Sequence, residues 1–432
     1  MRGGLTAAEN AAIRATNAIL DLALNAPDGA PVAVAVSGGG DSIALLVIAS
    51  AWAARAGRPL VALTVDHDLQ PASAGWCDFV AERATTLGVR SRTLVWKGEK
   101  PRSGVPAAAR AARHALLAGA ARDIGARVVL MAHTADDALE AQAMRSAGCS
   151  VPTPRRWSPS PAWPEGRGVF ILRPLLGVRR AALRELLRRC GERWIEDPAN
   201  EDPRYARAAA RRRLAEQATD PPTPPKVRRE AGWAAVVEGA AGDLGAPRAS
   251  FAAPGGRQLL GAMLLCAAGG ARPPRGESLE RLLPRLAAGE RFVASLAGAR
   301  IEASGEAVTC CREAGERHRG GLADVALPVG EAVFDGRFLL AATEPGWRVG
   351  PLRGVVKRLP EADRARLAGL PAAARAALPV AVSPAGDYCC PILRQSGPVV
   401  ARSLSLNRLQ AALGGFTDEA SLWRVAQTLS GA

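Results

Sequence analysis

Short apolar runs alternate with helical patterns throughout residues 32–145, and few folds accommodate that order of elements. The apolar runs lie at residues 32–36, 60–65, 89–95 and 127–132. Each run is followed by a segment with helical spacing, at residues 43–55, 72–87, 105–124 and 134–145. Parallel strands need crossover connections, which are usually helices, so this order predicts a parallel, doubly wound α/β sheet. Such sheets bind ligands beyond the carboxyl ends of their strands.

The first apolar run leads into its helix through a glycine-rich loop, Ser37-Gly38-Gly39-Gly40-Asp41-Ser42. Glycines let backbone N–H groups approach an anion closely, and the start of a helix favours negative charge. The loop lacks the lysine of a Walker A motif and the spacing of a dinucleotide fingerprint. A carboxylate beside a phosphate is repulsive unless a divalent cation bridges the two, so Asp41 predicts such a cation here.

A cluster of carboxylates begins the helix that follows the fourth run. Asp136 and Glu140 are four residues apart and Asp137 and Glu140 three apart, so the three share one helix face. His133 precedes them, and Thr134 can cap the helix. Carboxylates this close repel each other unless they hold a cation, which could be Mg²⁺ or an ammonium group.

The rest of the chain predicts further domains. Residues 146–168 contain five prolines and two tryptophans and are predicted to form a loop. A proline-rich stretch at residues 220–225 is predicted to link domains. We therefore expect a catalytic domain at residues 1–218, a mostly helical middle domain with some strands at 226–345, and a small α+β domain at 346–432. The helical pattern of the middle domain extends to residue 288, and weaker strand signals follow it to residue 342.

Arginines form two candidate faces for nucleic acid on helices predicted at residues 178–190 and 203–217. Residues 151–217 contain 15 arginines against 8 acidic residues. The arginines recur at helical spacing, as Arg180, Arg184 and Arg188 on one helix and as Arg204, Arg207 and Arg211 on the other. Such faces could follow phosphates along a backbone.

Composition excludes several classes of protein. Hydrophobic residues at 48% and charged residues at 22% fit a folded chain rather than a disordered one. The net charge of +15 favours a polyanionic partner. The longest apolar stretch is too short to span a bilayer, so no membrane association is expected. The eight cysteines include no Cys-x-x-Cys pair, which predicts neither a zinc site nor a disulfide framework and favours a cytoplasmic location.

The glycine loop resembles that of the PP-loop ATP pyrophosphatases, which cleave ATP to AMP and pyrophosphate while they adenylate a substrate oxygen. Over residues 30–215 the resemblance narrows to the tRNA(Ile)-lysidine synthetase family. The further motifs that carry it are Val65-Asp66-His67, Ala109-Arg110-Ala111-Ala112-Arg113-His114, the H-x-x-D-D-x-x-E spacing from His133 to Glu140, Arg173-Pro174-Leu175-Leu176, and Trp194-Ile195-Glu196-Asp197-Pro198-Ala199-Asn200-Glu201-Asp202. The resemblance implies an adenine nucleotide alpha hydrolase-like fold for the PP-loop domain.

The resemblance also implies the reaction and its participants. The wobble cytidine of tRNA(Ile) with a CAU anticodon would be adenylated with ATP and Mg²⁺, and free L-lysine would then displace AMP. The implied catalytic residues are Asp41, Arg113, Asp136, Asp137 and Glu140, with Asp41 and Asp136 as metal ligands. The implied nucleotide contacts are Ser37, Gly38, Gly39, Gly40, Asp41, Ser42, His67 and His133. The implied contacts to lysine or tRNA are Asp137, Glu140, Arg204, Arg207 and Arg211.

Two other functions remain open at this stage. A PP-loop tRNA thiolase would need a reactive cysteine, and Cys149 and Cys190 are the candidates. A degenerate PP-loop protein would only bind RNA, although such a binder has no need for carboxylates beside a phosphate loop. The sequence does not choose between a monomer and a homodimer.

Overall fold

The computed structural model describes residues 6–196, 206–215, 231–315 and 322–430. The chain divides into two compact units, Met1–Arg228 with Phe416–Ala432, and Arg229–Gly415. The last 17 residues therefore group with the first unit, and the three-domain division at 218 and 345 stays a prediction. No helix among the described residues is both long and apolar enough to cross a membrane. The predicted linker at 220–225 lies outside the described residues.

The first unit is built on one six-stranded sheet. Its strands are β1 (Val32–Ala35), β2 (Leu60–Asp66), β3 (Arg90–Val95), β4 (Val128–Leu130), β5 (Trp157–Pro159) and β6 (Phe170–Leu172). Its helices are α1 (Ala7–Ala23), α2 (Gly40–Ala56), α3 (Ser73–Thr86), α4 (Val105–Asp123), α5 (Ala135–Ser146), α6 (Arg180–Arg189) and α7 (Ala206–Ala215). The strand order is β3-β2-β1-β4-β6-β5, and only β5 runs antiparallel to its neighbour. The predicted doubly wound parallel sheet is confirmed.

Helices cover both faces of this sheet because its central strands are apolar throughout. Val32, Ala33 and Val34 of β1 are fully buried, as a strand buried on both faces requires. Helix α4 packs against the face that carries Ala33, through Leu117 and Ala121. Side chains alternate along a strand, so Val32 and Val34 face the other layer, in which α2 packs with α1 and α6.

The prediction of a loop over residues 146–168 is wrong at one place. Trp157–Pro159 forms β5 and pairs with β6, with Trp157 opposite Leu172. The Trp157 ring stacks on Phe170 at a centroid distance of 5.1 Å. Prolines are tolerated in an edge strand, and a run of three residues is too short to show a period of two. The strand forms because its tryptophan is buried by residues distant in sequence.

The second unit contains three antiparallel sheets. Their strands are β7 (Val237–Glu238), β8 (Leu244–Pro247), β9 (Phe292–Leu296), β10 (Ala299–Ser304), β11 (Ala307–Arg312), β12 (Val325–Ala326), β13 (Gly330–Phe334), β14 (Phe338–Ala342), β15 (Arg348–Pro351), β16 (Pro379–Val382), β17 (Tyr388–Cys389) and β18 (Val399–Ser403). The sheet orders are β7-β8-β11-β10-β9, β12-β15-β16-β17 and β13-β14-β18. The helices are α8 (Gly256–Ala268), α9 (Gly276–Ala287), α10 (Glu361–Ala368), α11 (Ala372–Arg375) and α12 (Ser405–Ala412), and α13 (Glu419–Ser430) belongs to the first unit.

The helical pattern expected up to residue 288 is interrupted by strands. The short strands β7 and β8 precede α8, and β8 pairs with β11, whose residues lie about 60 positions later. Strands of two and four residues carry too little periodicity to be recognised locally. The strand signals predicted from residue 291 to 342 are confirmed by β9 to β14.

Candidate active site

The candidate site is a cavity of about 720 Å³ at the carboxyl ends of the central strands. The strand order reverses between β1 and β4, which is where doubly wound sheets bind their ligands. The predicted residues that line it are Ser37, Gly39, Gly40, Asp41, Ser42, His67, Arg113, His133, Asp137 and Arg211. Gly38, Asp136 and Glu140 are not among the residues that line it. Arg204 and the side chain of Arg207 lie outside the described residues.

The glycine loop forms the turn from β1 into α2, as predicted. Helix α2 begins at Gly40, and the first N–H groups of a helix have no partner within it, so they are available to an anion. The Ser42 hydroxyl donates to the Gly39 carbonyl at 2.8 Å and accepts from the Ser37 N–H at 3.2 Å. Gly38 has a φ of +87°, which favours glycine. These bonds and this backbone angle hold the loop in a fixed shape.

Three carboxylates at the site surround the guanidinium of Arg180, at the start of α6. Its Nε lies 2.8 Å from Oδ2 of Asp41, and its Nη1 lies 3.1 Å from Oε1 of Glu140. Its Nη2 lies 3.6 Å from Oδ2 of Asp137. Nε of Arg211 on α7 lies 2.9 Å from the same Glu140 oxygen. The carboxylates therefore hold a cation, as predicted, and the cation is the guanidinium of Arg180. The sequence had placed Arg180 on a helix face for nucleic acid.

The charge state of this cluster follows from burial and pairing. Burial raises the pKa of Asp41, and the nearby Arg180 offsets only part of that rise. Burial by itself would lower the pKa of Arg180, but Asp41 and Asp137 outweigh burial and raise it. Arg180 is therefore a permanent positive charge, whereas the charge of Asp41 depends on what binds to it.

Two of the acidic residues also hold local structure. Oδ2 of Asp137 accepts the backbone N–H of Thr134 at 2.8 Å and its hydroxyl at 2.9 Å, which completes the predicted cap of α5. Oδ2 of Asp136 accepts the backbone N–H of Arg180 at 2.7 Å, and its Oδ1 lies 3.2 Å from Nη2 of Arg179. Asp136 thus fixes the start of α6, and its role as a metal ligand stays a prediction.

One part of the cavity lining is basic. His133 lies three residues after the end of β4, and Arg110 and Arg113 reach the cavity from α4. His67 follows β2, where burial and then the charge of Arg113 lower its pKa. A ligand with several negative charges would therefore find cationic groups in this part and N–H groups on the loop.

Asp41 fits a magnesium ion better than the other acidic residues do. Its Oδ1 is buried, and no group in the described part of the chain donates a hydrogen bond to it. No set of three or more His, Cys, Asp and Glu side chains in that part could hold a metal on its own. Magnesium bound to nucleotides commonly takes one or two carboxylates and completes its shell with phosphates and water. Asp41 beside the glycine loop matches that donor set.

The segment after α6 lies against the glycine loop, which the sequence did not show. The Ile195 N–H donates to the Gly38 carbonyl at 2.9 Å, and the ring of Trp194 lies beside Gly40. Nη2 of Arg83 on α3 lies 2.6 Å from Oε1 of Glu192, and this ion pair links the segment to α3. The Trp-Ile-Glu motif had marked this segment as part of the family pattern, but no local signal indicated what it touches.

Comparisons with known proteins show which family the chain resembles. A family model described as the PP-loop domain matches residues 11–218. A protein of Caulobacter vibrioides named tRNA(Ile)-lysidine synthase is 48% identical over 410 residues, which cover 93% of this chain and 98% of that protein. Proteins of the same name from Hyphomonas neptunium and a Methylobacterium species are 43% and 38% identical, over 63% of this chain in both cases and over 79% and 86% of those proteins. Given identities this high over most of the relatives' length, the chain belongs to the tRNA(Ile)-lysidine synthase family.

Proposed function

We propose that this chain uses ATP to join L-lysine to the wobble cytidine of tRNA(Ile) with a CAU anticodon. The observation that carries the proposal is a single cavity in which a glycine loop for phosphates faces a carboxylate cluster that holds a cation. Such a cavity can bind a nucleotide and an amine at the same time. The names of the full-length relatives support tRNA(Ile) as the substrate and lysidine as the product.

The first step is adenylation of the cytidine. The oxygen of its ring carbonyl attacks the α-phosphate of ATP, and pyrophosphate leaves along the glycine loop. The N–H groups at the start of α2 and the guanidinium of Arg113 stabilise the negative charge that develops there. Asp41 would hold a magnesium ion, which would supply further neutralisation of the leaving pyrophosphate. Adenylation is needed because the oxygen of an amide-like carbonyl is a poor leaving group until it is a phosphate ester.

The second step is attack by lysine. We place its ε-ammonium beside Asp137 and Glu140, which already bind a cationic side chain in this structure. An ammonium has no lone pair, so it must give a proton to a carboxylate or to water before it attacks. The amine then bonds to the ring carbon, and AMP leaves with the former carbonyl oxygen. Lysine would compete with Arg180 for the two carboxylates.

The tRNA would be held mainly by charge. The chain has a surplus of 15 basic residues, which attracts a phosphate backbone. Arg204, Arg207 and Arg211 form the predicted tRNA-binding set. Of these three side chains, the structure describes that of Arg211, which lines the cavity. We place the reaction in the cytoplasm, where its tRNA substrate is used.

The thiolase alternative is not favoured. Cys190 directly follows α6, and its pKa is raised by burial and then by Glu192, which disfavours the nucleophilic thiolate. Neither Cys149 nor Cys190 is among the described residues that line the cavity. Replacing both cysteines with serine is expected to leave lysine incorporation intact.

The test is incubation of the full chain with ATP, magnesium, labelled lysine and a tRNA(Ile) transcript with a CAU anticodon. We expect AMP release and label in the tRNA. Asp41→Asn should lower AMP release by about 100-fold or more, since it removes the carboxylate proposed to hold the magnesium beside the leaving group. The affinity for tRNA in a filter-binding assay should change little.

Asp123→Asn is the matched control, because this exposed carboxylate pairs with Arg92 on the surface, away from the cavity. Its activity should equal that of the unchanged chain. Absence of label in the tRNA with intact tRNA binding would favour the RNA-binding alternative instead. Full activity of Asp41→Asn would remove Asp41 from the mechanism.

A further inference from the structure

Arg173 is a buried arginine next to the nucleotide side of the cavity. It directly follows β6, and its residue is only 8% exposed. Its Nη1 donates to the Arg155 carbonyl at 2.8 Å and to the Ser158 hydroxyl at 3.1 Å, and its Nε donates to Nδ1 of His133 at 3.3 Å. None of these partners is a carboxylate. These three acceptors are neutral. They fix the position of the Arg173 guanidinium without forming an ion pair with it.

The bond to His133 determines which nitrogen of that ring carries a proton. Every N–H group of a guanidinium is a donor, so Nδ1 of His133 must be the acceptor. The proton of a neutral ring then resides on Nε2. A doubly protonated ring would direct a second N–H at the guanidinium, with two positive charges in contact.

We infer that Arg173 is a positioning residue that holds His133 as a neutral Nε2–H tautomer, so that this ring acts as a hydrogen-bond donor to an oxygen of the bound substrate. His133 lines the cavity, next to the basic residues proposed to bind phosphates. An Nε2–H donor selects an acceptor such as a phosphate or a ring carbonyl oxygen, and it disfavours an amino group. The inference refines the proposed function and rests on it for the identity of the substrate only.

The proline- and tryptophan-rich segment gives this arrangement its rigidity. Ser158 belongs to β5, and Arg155 lies two residues before that strand. The backbone N–H of Arg173 donates to the Arg156 carbonyl at 2.8 Å, which extends the pairing of β5 with β6. Trp157 stacks on Phe170. The indole N–H of Trp157 donates to the Phe416 carbonyl at 2.9 Å. The two acceptors that bind Arg173 are thus fixed by a packed strand and the residues just before it, which assigns a role to this proline- and tryptophan-rich segment.

The test reads the tautomer directly. The full chain is labelled with ¹⁵N-histidine, and the ring nitrogens are observed by long-range proton–nitrogen correlation, which distinguishes the two neutral tautomers and the cation. The chain has only four histidines, and His133→Gln identifies the signals of that ring. We expect a single Nε2–H tautomer in the unchanged chain. Arg173→Met should convert the His133 pattern to an average of both tautomers.

Two further variants guard against a loss of folding. Ser158→Ala removes one acceptor from Arg173 and should shift the His133 pattern partly, with the other histidines unchanged. Arg173→Lys keeps a donor and should restore part of the Nε2–H pattern. An Nδ1–H or averaged pattern in the unchanged chain would overturn the inference, and so would an unaltered His133 pattern in both Arg173→Met and Ser158→Ala.

The oxygen that His133 recognises is identified by adding ATP with magnesium in one sample and tRNA alone in another. A shift of the His133 Nε2–H signal with ATP indicates a phosphate, and a shift with tRNA indicates a base carbonyl. No shift with either ligand would overturn the donor role. Because the tautomer is read without turnover, a failed lysine assay with the expected tautomer would count against the proposed function and leave the positioning role standing.

Discussion

His114 is a buried histidine on α4 whose surroundings oppose protonation. It is 4% exposed, and no group in the described ranges bonds to its Nε2. Burial, followed by the charges of Arg113 and Arg110, lowers its pKa to about 3. The unfolded chain would bind a proton at this histidine near pH 6.5. Because only the unfolded state takes up that proton, stability is full above pH 6.5 and declines as the pH falls toward 3.

This pH dependence can be measured. At pH 5 the loss relative to pH 7 should reach roughly 2 kcal/mol, which is the linkage expected from a proton taken up only by the unfolded state. The opening free energy of α4 is measured by hydrogen exchange, corrected for the intrinsic rate at each pH. His114→Met keeps the side chain buried without a titrating group and should lose less stability over the same interval. Equal losses of stability in the two proteins would contradict a lowered pKa for His114.

The residue scale also shows why the site was predicted only in part. Asp41, His133 and Asp137 could be identified because a strand end or a glycine loop in the local sequence marks each of them. Arg180 could not be assigned correctly, because its spacing with Arg184 resembles that of an exposed helix face. Which face of α6 is buried depends on carboxylates on α2 and α5, and local spacing carries no information about that contact.

At the scale of elements, the glycine loop and the segment at residues 192–196 act as one unit. A Cβ on Gly38 would lie 2.5 Å from Cδ1 of Ile195, and Gly38 also has a positive φ. Gly38→Ala should therefore strain the loop and push Ile195 away. Since backbone strain of this kind is about 1–2 kcal/mol, we expect the KM for ATP to rise about tenfold, with little change in tRNA affinity.

Two further variants test whether the effect of Gly38→Ala arises within the loop and depends on the contact with Ile195. Gly57 also has a positive φ, of +63°, but a Cβ there would have no neighbour within 4 Å. Gly57→Ala therefore carries a similar backbone strain at the far end of α2, outside the glycine loop, and should leave the KM for ATP unchanged. Adding Ile195→Ala to Gly38→Ala removes the clashing atom and should recover part of the affinity. An unchanged KM in Gly38→Ala would show that the loop tolerates displacement of this segment.

Elements with a clear local period were predictable, and elements defined by distant partners were not. The strands β1 to β4 and the helices α2 to α5 follow the apolar patterns of their own segments. The strands β5, β7 and β8 are too short to show an apolar period. Each forms because a partner strand elsewhere in the chain completes its hydrogen bonds. The same reason hides the contact between residues 192–196 and the loop.

At the scale of the whole molecule, the end of the chain completes the first unit. Nη2 of Arg58, just after α2, lies 3.0 Å from Oε1 of Glu419 in α13, and the two side chains are 7% and 0% exposed. The Ala420 N–H donates to the side chain of Asn25 at 2.9 Å. The PP-loop domain therefore depends on residues that the sequence grouped with the C-terminal domain, and a chain cut at residue 218 would lack them.

Glu419→Gln tests this dependence, because it leaves the Arg58 guanidinium buried without its counter-charge. Breaking a buried pair in this way costs about 3–5 kcal/mol, so hydrogen exchange in α1 and β1 should speed up accordingly. The control is Glu280→Gln, whose partner Arg257 is exposed, and whose effect should stay below about 1 kcal/mol. Since β1 leads into the glycine loop, the KM for ATP should also become more sensitive to temperature in Glu419→Gln. If both variants exchange alike, the last helix does not stabilise the first unit, and the catalytic domain folds without it.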